Sequence, residues 1–414
     1  MEEQWGPDFQ NLSQNVAKEI IKSVGESGIP PETGFQYFTV GLDPYLKILD
    51  EEYLSSYIKE GGNSFKLIQA SYGGGKTHFL YYIRELGWKH NYVVSYITLS
   101  PNETPFYKLE KVYSTIAKSL VYPLKPEEVL GGYNNKGIEA LISKWYKEQY
   151  VKYMERFNND IGKTVEEIEN NIKNLPNFES ISFSNAIKKV ILSLLHEKQE
   201  DATLILQWLM GENPPKSELK KFGIYEKIDN TTAFKMIRSL TQFIKDVLKY
   251  SGLIILMDEA EQTPSMSSKQ KTLLLNNLRE VIDECSQHNL KNTMWFYAVP
   301  DMSWLEGKKQ IYIALSQRLK PVLGEFNPSG VKIDLDELAE NSDEEKMNRS
   351  IGEKLYKIYE RAYGISFDKT EVNNAIDKAL ETAQEEKFLA GEKRAFVQSL
   401  IKEFHVMRIH RYKK

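Results

Sequence analysis

The pattern of hydrophobic and polar positions changes period several times along the chain, and these changes predict alternating strands and helices. Four short apolar runs have the length and the β-branched or aromatic content of strands: residues 65–68, 92–99, 253–257 and 294–299. Apolar residues at helical spacing follow three of these runs, in residues 79–86, 109–120 and 272–282. Gly87 is the predicted end of the first of these helices. Strands that alternate with helices in this way indicate an α/β fold with a parallel sheet.

A long stretch between the second and third predicted strands, residues 122–249, interrupts this alternation. Its apolar residues keep helical spacing, and breaks fall at Gly131-Gly132, at 174–177 and at 211–215. We interpret it as a helical insertion whose aromatic residues form either its own packing layer or a face for a partner. The predicted segments are an N-terminal helical segment (1–34), the first part of the core (35–121), the insertion (122–249), the second part of the core (250–335) and a C-terminal helical lid (336–414).

A glycine-rich loop, Ala-Ser-Tyr-Gly-Gly-Gly-Lys-Thr at residues 70–77, lies between the first predicted strand and its helix. Successive glycines can take backbone angles that a Cβ would penalise, so that N–H groups turn inward around phosphates. Lys76 would reach the β- and γ-phosphates and the Thr77 hydroxyl would ligate Mg²⁺, while Ala70 replaces the usual first glycine. We therefore predict that ATP and Mg²⁺ bind here. The predicted nucleotide contacts are Ser71, Tyr72, Gly73, Gly74, Gly75, Lys76, Thr77 and His78.

Two acidic residues, Asp258 and Glu259, follow the strongly apolar run at 253–257. The carboxyl end of a buried parallel strand is where open α/β sheets bind their ligands. Asp258 would hold Mg²⁺, directly or through water, and Glu259 would orient and polarise the attacking water, while Lys76 neutralises phosphate charge. This combination favours hydrolysis over binding alone. The alternative is an acidic pair that makes ordinary helix-cap contacts, and Glu261 is a weaker candidate than either residue.

Several short segments carry a resemblance to a known family: residues 28–31 (Gly-Ile-Pro-Pro), 37–41 (Tyr-Phe-Thr-Val-Gly), 72–80 (Tyr-Gly-Gly-Gly-Lys-Thr-His-Phe-Leu), 93–100 (Val-Val-Ser-Tyr-Ile-Thr-Leu-Ser) and 103–106 (Glu-Thr-Pro-Phe). In these segments the chain resembles the ATP-binding proteins of BREX phage-defence systems, a P-loop ATPase family related to AAA+ and origin-recognition ATPases. The resemblance covers residues 34–120 and 252–261 well, and the insertion and C-terminus more loosely. It implies an AAA+-like P-loop NTPase fold and a role in prokaryotic defence against foreign DNA, beside other proteins of the system.

AAA+ ATPases also suggest roles for three downstream residues. Their strand equivalent to 294–299 ends in a polar residue that contacts the γ-phosphate, which here is Asp301 or is missing. Arg318 lies where such ATPases present an arginine to a neighbouring subunit, which would imply a homo-oligomer. The alternative is an ordinary ion pair between Arg318 and a surface acid. Arg394, near the start of the last predicted helix, is the candidate lid sensor of nucleotide state.

Residues 35–43 precede the first predicted strand, as adenine-contacting segments often do in AAA+ proteins. Tyr37, Phe38 and Val40 are the candidates for contact with the base. Core packing explains these residues equally well, so the sequence leaves this choice open.

Composition narrows the class of protein without changing this picture. The 414 residues carry a net charge of −4 and 27% charged residues, which is ordinary for a globular protein and not typical of general nucleic-acid binding. Cys285 is the single cysteine, so an internal disulfide and a cysteine-cluster metal site are excluded. No apolar run approaches the roughly 20 residues of a membrane span, and the first residues lack a signal-peptide pattern. We therefore predict a cytoplasmic protein without a membrane partner.

The strongest local charge lies in the C-terminal tail, with Arg408, His410, Arg411, Lys413 and Lys414. Such a tail is either a solvated end or a contact for DNA. Too few residues follow the candidate sensor for a winged-helix domain of the origin-recognition type. We therefore expect DNA to be reached mainly through partner proteins.

Three functions fit these motifs. The leading hypothesis is an ATPase switch or motor that acts on nucleic acid through partners. A non-hydrolysing adaptor, in which ATP only stabilises the fold, is the second. A small-molecule kinase that uses the insertion as an acceptor lid is the third, although kinases usually lack a tandem Asp-Glu at the end of a buried strand.

Overall fold

One mixed sheet organises the chain. The computed structural model describes residues 9–125, 128–129, 135–260, 266–305, 310–340, 344–390 and 392–412. The strands are β1 (Asn63–Gln69), β2 (Val93–Thr98), β3 (Leu120–Val121), β4 (Leu253–Asp258), β5 (Thr293–Val299) and β6 (Lys332–Asp334). They form a six-stranded sheet in the order β3-β2-β4-β5-β1-β6. Among these strands β3 alone is antiparallel, pairing with β2, so the predicted α/β class with a mostly parallel sheet is confirmed.

The four strands predicted from the apolar runs are confirmed as β1, β2, β4 and β5. All six residues of β4 are buried because the strand lies between β2 and β5 and is covered on both faces. Sequence analysis did not predict β3 or β6. These strands have two and three residues, too few for a periodic pattern to be recognised.

Helices cover both faces of the sheet. Before β4, the α-helices of the described residues are α1 (Gln14–Ser27), α2 (Asp43–Ile48), α3 (Lys76–Lys89), α4 (Leu109–Ser119), α5 (Ile138–Arg156), α6 (Ile161–Lys173), α7 (Ile181–Leu195), α8 (Gln199–Leu209), α9 (Lys216–Lys220) and α10 (Ala233–Gln242). After β4 they are α11 (Ser268–Ser286), α12 (Gln310–Leu319), α13 (Leu335–Glu340), α14 (Glu344–Tyr363), α15 (Lys369–Ala390) and α16 (Glu392–Tyr412). Helices α5–α10 lie within residues 122–249, and the predicted break at Gly131-Gly132 lies outside the described residues.

Alternate residues of the strands belong to two separate hydrophobic clusters, one on each face of the sheet. Leu253, Ile255 and Met257 of β4 pack on one face of the sheet, against helices between α4 and α12. Ile254 and Leu256 pack on the other face, against α1–α3 and the C-terminal helices. We call these the insertion face and the phosphate-loop face, respectively.

Helix α3 approaches the sheet closely on the phosphate-loop face. The prediction that Gly87 ends this helix is wrong, because α3 continues to Lys89. A Cβ on Gly87 would stand 2.5 Å from Cδ1 of Ile254 on β4. Glycine at this position therefore lets the helix pack directly against the buried strand.

The N-terminal helix belongs to the same layer as the C-terminal helices. Helix α1 ends at Gly28, whose φ of +64° is the left-handed conformation that favours glycine. The helix contacts α14 and α16. The Arg361 side chain on α14 donates to the carbonyl oxygen of Leu12 at 2.8 Å. Residues from the two ends of the chain thus form one layer over the phosphate-loop face.

None of the helices in the described parts of the chain is long and apolar enough to cross a membrane. Cys285 lies buried in α11 within the insertion-face cluster, and burial raises the pKa of its thiol. Cys285 is therefore a small buried residue of the core.

Candidate functional site

The glycine-rich loop joins the carboxyl end of β1 to the first residue of α3. Gly73 and Gly75 have φ values of +79° and +98°, which L side chains rarely adopt. Helix α3 begins at Lys76, directly after the loop. The N–H groups of the first helical turn lack intrahelical partners and carry the positive end of the helix dipole. Loop and helix start together form a site suited to an anion such as a phosphate.

Two side chains brace this loop in the structure. Lys76 Nζ donates to the carbonyl oxygens of Ala70 at 2.8 Å and Ser71 at 3.2 Å, so the lysine folds back over the start of the loop. The Asp336 carboxylate accepts from the backbone N–H of Ser71 at 2.7 Å and from its hydroxyl at 3.1 Å. Asp336 follows β6, the neighbour of β1, and sequence analysis missed it because β6 itself was not predicted.

Asp258, at the carboxyl end of β4, meets the loop. The Thr77 hydroxyl donates to Asp258 Oδ2 at 2.8 Å, although 181 positions separate the two residues. The hydroxyl of Tyr96 on β2 donates to the same oxygen at 2.6 Å, and the Glu259 backbone N–H donates to Oδ1 at 2.9 Å. Asp258 is only 5% exposed. Mg²⁺ prefers oxygen ligands, so a hydroxyl and a carboxylate in contact are a donor set that fits this cation.

Tyr96 is a site residue that sequence analysis did not select. Burial, followed by the nearby Asp258 carboxylate, raises the pKa of the Tyr96 phenol, so it stays protonated and donates its hydrogen bond. Its ring centroid lies 5.4 Å from that of Tyr81 on α3. A strand tyrosine of this kind carries no motif, and only the pairing of β2 with β4 brings it to the acid.

Glu259 adopts a backbone conformation that is uncommon for its residue type. Its φ is +57°, in the left-handed region, and its side chain is exposed at the sheet edge. Glu261, the weaker candidate, lies outside the described residues.

An apolar cavity of about 130 Å³ lies beside the glycine loop, between the core and the N- and C-terminal helices. Its lining includes Phe38, Thr39, Val40, Gly73, Gly74, Gly75, His78, Met347, Ile351, Lys393, Arg394 and Val397. Val40 therefore lies where a nucleotide base beside the loop would be enclosed. Tyr37 is not among the lining residues, and its ring packs edge-on against Phe9 with centroids 5.4 Å apart.

His78, directly after the loop, faces this cavity as a neutral imidazole. Burial, with a smaller contribution from Lys393, lowers the pKa of His78 to about 4. Its Nε2 lies 2.6 Å from the Thr39 hydroxyl, which itself lies 3.0 Å from the carbonyl oxygen of Phe35. The Thr39 hydroxyl donates to the carbonyl oxygen of Phe35, so the His78 tautomer with its proton on Nε2 is the one that can donate to Thr39.

Arg394, the candidate sensor, extends from the first turn of α16 to the glycine loop. Its guanidinium carbon lies 5.5 Å from the ring centroid of Tyr72, which is 67% exposed. A Cβ on Gly28 would stand 2.2 Å from Arg394 Cγ, so the residue at the end of α1 must be very small. Arg394 Nε is buried and has no hydrogen-bond partner within the described parts of the chain. The arginine thus borders the cavity with a free donor.

Arg318 and Asp301 have other partners in this structure. Arg318 Nη2 pairs with Asp283 of α11 at 3.1 Å, and Nη1 donates to the carbonyl oxygen of Ala314 at 3.2 Å. This contact corresponds to the alternative of an ordinary ion pair. Asp301 Oδ1 accepts from the backbone N–H of Ser303 at 2.7 Å, just after β5. Within the described parts of the chain, Arg318 makes no hydrogen bond or ion pair with the glycine loop.

Basic residues of the C-terminal tail pack on aromatic rings of the same helical layer. The Arg408 guanidinium carbon lies 4.0 Å from the ring centroid of Tyr363. Arg411 donates to the carbonyl oxygen of Ser366 and lies 5.5 Å from the Phe367 ring centroid. Lys413 and Lys414 lie outside the described residues.

The chain is similar to a known protein family over most of its length. The family of BREX system ATP-binding proteins, BrxC/D, matches residues 12–413, which is nearly the whole chain. No curated protein and no solved structure gives a significant match. The match includes the glycine loop, the acidic strand and the C-terminal helices that enclose the cavity. The chain therefore belongs to the BREX system ATP-binding protein family.

Proposed function

We propose that this protein is a Mg²⁺-dependent ATPase with an AAA+-like P-loop core, acting as a switch or motor in anti-phage defence. The hydrogen bond between Thr77 Oγ1 and Asp258 Oδ2 carries this proposal. It joins the end of the phosphate loop to the acidic strand, and these are the two parts that metal-assisted phosphoryl transfer requires. Family membership supplies the ATP-binding role and the link to the defence system.

Each residue at the sheet edge has a defined task in this proposal. Lys76 turns from the carbonyl oxygens of Ala70 and Ser71 towards the β- and γ-phosphates, where its charge offsets theirs. Thr77 and Asp258 would hold Mg²⁺, whose positive charge would offset the negative charge that develops on the phosphate. Glu259 orients the attacking water and accepts its proton. Its exposed side chain and left-handed backbone are suited to a residue that must face the γ-phosphate.

The cavity gives the nucleotide a way to act on the rest of the protein. Val40 and His78 from the core and Arg394 from α16 would enclose the base and neighbouring phosphates. Hydrolysis would then change the contacts between the core and the C-terminal helical lid. We expect this change to drive other defence-system proteins and, through them, nucleic acid. The proposal places the protein in the cytoplasm, where foreign DNA would be met.

The test is a comparison of Glu259→Gln with the wild type. The variant keeps the shape of the side chain but cannot accept a proton, so we expect ATP binding to persist while phosphate release falls by about 100-fold or more. Binding is measured with a fluorescent ATP analogue and turnover by phosphate release. Glu51→Gln is the matched control, because Glu51 is an exposed glutamate of the helical segment Leu49–Leu54.

Equal phosphate release from Glu259→Gln and the wild type would remove Glu259 from its role. Tight ATP retention without turnover in the wild type, even with DNA and partner proteins present, would favour the non-hydrolysing adaptor instead. Turnover that requires a small acceptor molecule would favour the kinase. Lys76→Ala, which should lose ATP binding itself, shows that the assays report on this site.

A further inference from the structure

The pairing of β2 with β4 places Tyr96 beside the acidic residue. Thr98 stands opposite Asp258 in the parallel register, and Tyr96 stands opposite Leu256. Side chains alternate between the faces of a strand, so Tyr96 and Thr98 share one face. Asp258 shares that face with Leu256, which packs in the phosphate-loop cluster. The long Tyr96 side chain crosses diagonally to Asp258, and its hydroxyl reaches Oδ2 at 2.6 Å.

Asp258 is held from three directions. Thr77 and Tyr96 both donate to Oδ2, and the Glu259 backbone N–H donates to Oδ1. The Thr77 contact ties the acid to the phosphate loop, whereas the Tyr96 contact ties it to the neighbouring strand. These donors fix the orientation of the carboxylate: Oδ2 accepts two hydrogen bonds, whereas Oδ1 accepts one and keeps a free acceptor direction. A carboxylate held in this way is preorganised for an ion instead of reorienting when the ion arrives.

We infer that Tyr96 is a positioning residue for the metal site: its phenol orients Asp258 and thereby sets how tightly the divalent cation is held. This inference rests on the proposed function, because it assumes that Thr77 and Asp258 hold Mg²⁺. Tyr96 itself does not contact the nucleotide in this assignment. It acts through Asp258, as hydrogen-bonded partners of metal-binding carboxylates commonly do.

The aromatic neighbours of Tyr96 explain why its hydroxyl points in one direction. Its ring packs against Tyr81 on α3, with centroids 5.4 Å apart, and Tyr81 in turn packs against Phe35, with centroids 6.0 Å apart. The Arg84 guanidinium carbon lies 4.9 Å from the Tyr81 ring centroid. This row of rings fixes the Tyr96 ring independently of its hydroxyl. Removing the hydroxyl alone should therefore leave the packing unchanged.

The test is Tyr96→Phe, measured by binding of the cation as well as by turnover. Free Mn²⁺, as a substitute for Mg²⁺, gives an electron paramagnetic resonance signal that is lost on binding, so its affinity can be measured with ADP present. We expect Mn²⁺ to bind about tenfold more weakly to the variant. Affinity for a fluorescent ADP analogue in EDTA should stay at the wild-type value, because the loop and cavity are untouched.

Tyr81→Phe is the matched control, because its ring belongs to the same row but its hydroxyl makes none of the three hydrogen bonds that Asp258 accepts. Wild-type Mn²⁺ affinity in Tyr96→Phe would overturn the inference. Equal losses in both variants, or a loss of ADP affinity in EDTA, would also overturn it, since either result indicates a packing role. If the wild type binds Mn²⁺ and ADP but hydrolyses no ATP, the proposed function fails while Tyr96 keeps its role.

Discussion

The two faces of the sheet are built from the same strands but differ in chemistry. On the insertion face, Leu253, Ile255 and Met257 of β4 enter an apolar cluster with helices α4–α12. On the phosphate-loop face, Ile254 and Leu256 are followed at the same spacing by Asp258. The first face is a packing surface along the whole length of β4. The second becomes polar at the carboxyl end of the strand.

This difference shows that adjacent residues of β4 serve different roles: one stabilises the fold by packing, and the next belongs to the candidate site. Adjacent residues of β4 point to opposite faces, so Met257 and Asp258 are neighbours in the chain but belong to different surroundings. The candidate site residues on the strands and on α3 belong to the phosphate-loop face. The insertion helices pack on the opposite face of the sheet.

The largest contrast between the two faces is expected when Met257 and Asp258 are substituted separately. Asp258→Asn should lower phosphate release by about 100-fold or more while the free energy of unfolding stays near the wild-type value. Met257→Ala should lower the free energy of unfolding by about 2–5 kcal/mol while turnover per folded molecule is kept. Denaturant unfolding and phosphate release measured on both variants check this. Loss of turnover in folded Met257→Ala would show that the insertion face contributes to the chemistry.

Lys66, the buried lysine on β1, lies on the phosphate-loop face. Its substitution can show whether a charged residue on this face affects stability without affecting ATP turnover. Lys66 is 1% exposed, and its Nζ donates to the Tyr53 hydroxyl at 2.7 Å and to the carbonyl oxygen of Gly330 at 2.6 Å. Burial lowers the pKa of Lys66 from 10.5 to about 7. Between these values the unfolded chain binds a proton that the folded chain lacks, so unfolding becomes harder as pH rises.

We expect the wild type to gain about 1.4 kcal/mol of unfolding free energy per pH unit above pH 7, relative to Lys66→Met. Below about pH 7 the unfolding free energies of the wild type and Lys66→Met should change with pH in the same way, because Lys66 is then protonated in both the folded and the unfolded state. Urea unfolding at pH 6 to 9 measures the difference, with turnover as a second readout. If the difference in unfolding free energy between the wild type and Lys66→Met stays constant from pH 6 to 9, the lowered pKa of Lys66 is contradicted. A large loss of ATP turnover in Lys66→Met would mean that the amino-terminal part of β1 also belongs to the site.

The smallest effect is expected at Arg318, on the insertion face. Both Arg318 and Arg279 pair with Asp283, at 3.1 and 3.3 Å, so Arg279→Ala is the matched control. Each substitution should lower the unfolding free energy by less than about 1 kcal/mol, since both pairs are partly exposed. If Arg318 serves a neighbouring subunit, only Arg318→Ala should lose ATP-dependent assembly. Native mass measurement with and without ATP decides this. A monomer in every case would contradict the hypothesis that Arg318 acts on a neighbouring subunit.

Much of the fold and the main catalytic candidates could be predicted because they follow local patterns. The glycine loop ends in Lys76 and Thr77, and the apolar run of β4 ends in Asp258, so each half of the site has its own signal. The contact between Thr77 and Asp258 follows from the rule that parallel strands gather their carboxyl ends at one edge. Sequence reasoning failed at β3 and β6, whose few residues show no period, and at Gly87, where close packing against β4 outweighed the usual preference of glycine for helix ends.

Residues without a motif were decided by tertiary contacts alone. Tyr96 becomes a partner of Asp258 only through the pairing of β2 with β4, and Asp336 reaches Ser71 only because β6 lies beside β1. The position of Arg394 near a helix start makes it a candidate from sequence, but its contact with Tyr72 depends on how α16 packs against α1. These contacts join segments that lie far apart in the chain.

By itself, the sequence determined the alternation of strands and helices, the phosphate loop and the acidic end of β4. Each of these features depends on the order and spacing of residues that are close together in the chain. The tertiary structure alone decided the strand order, the cavity between core and C-terminal helices, and the donors that surround Asp258. The physical reason is that periodicity specifies which face a side chain occupies but not which strand lies beside it. That choice depends on how the whole sheet and its helices pack together.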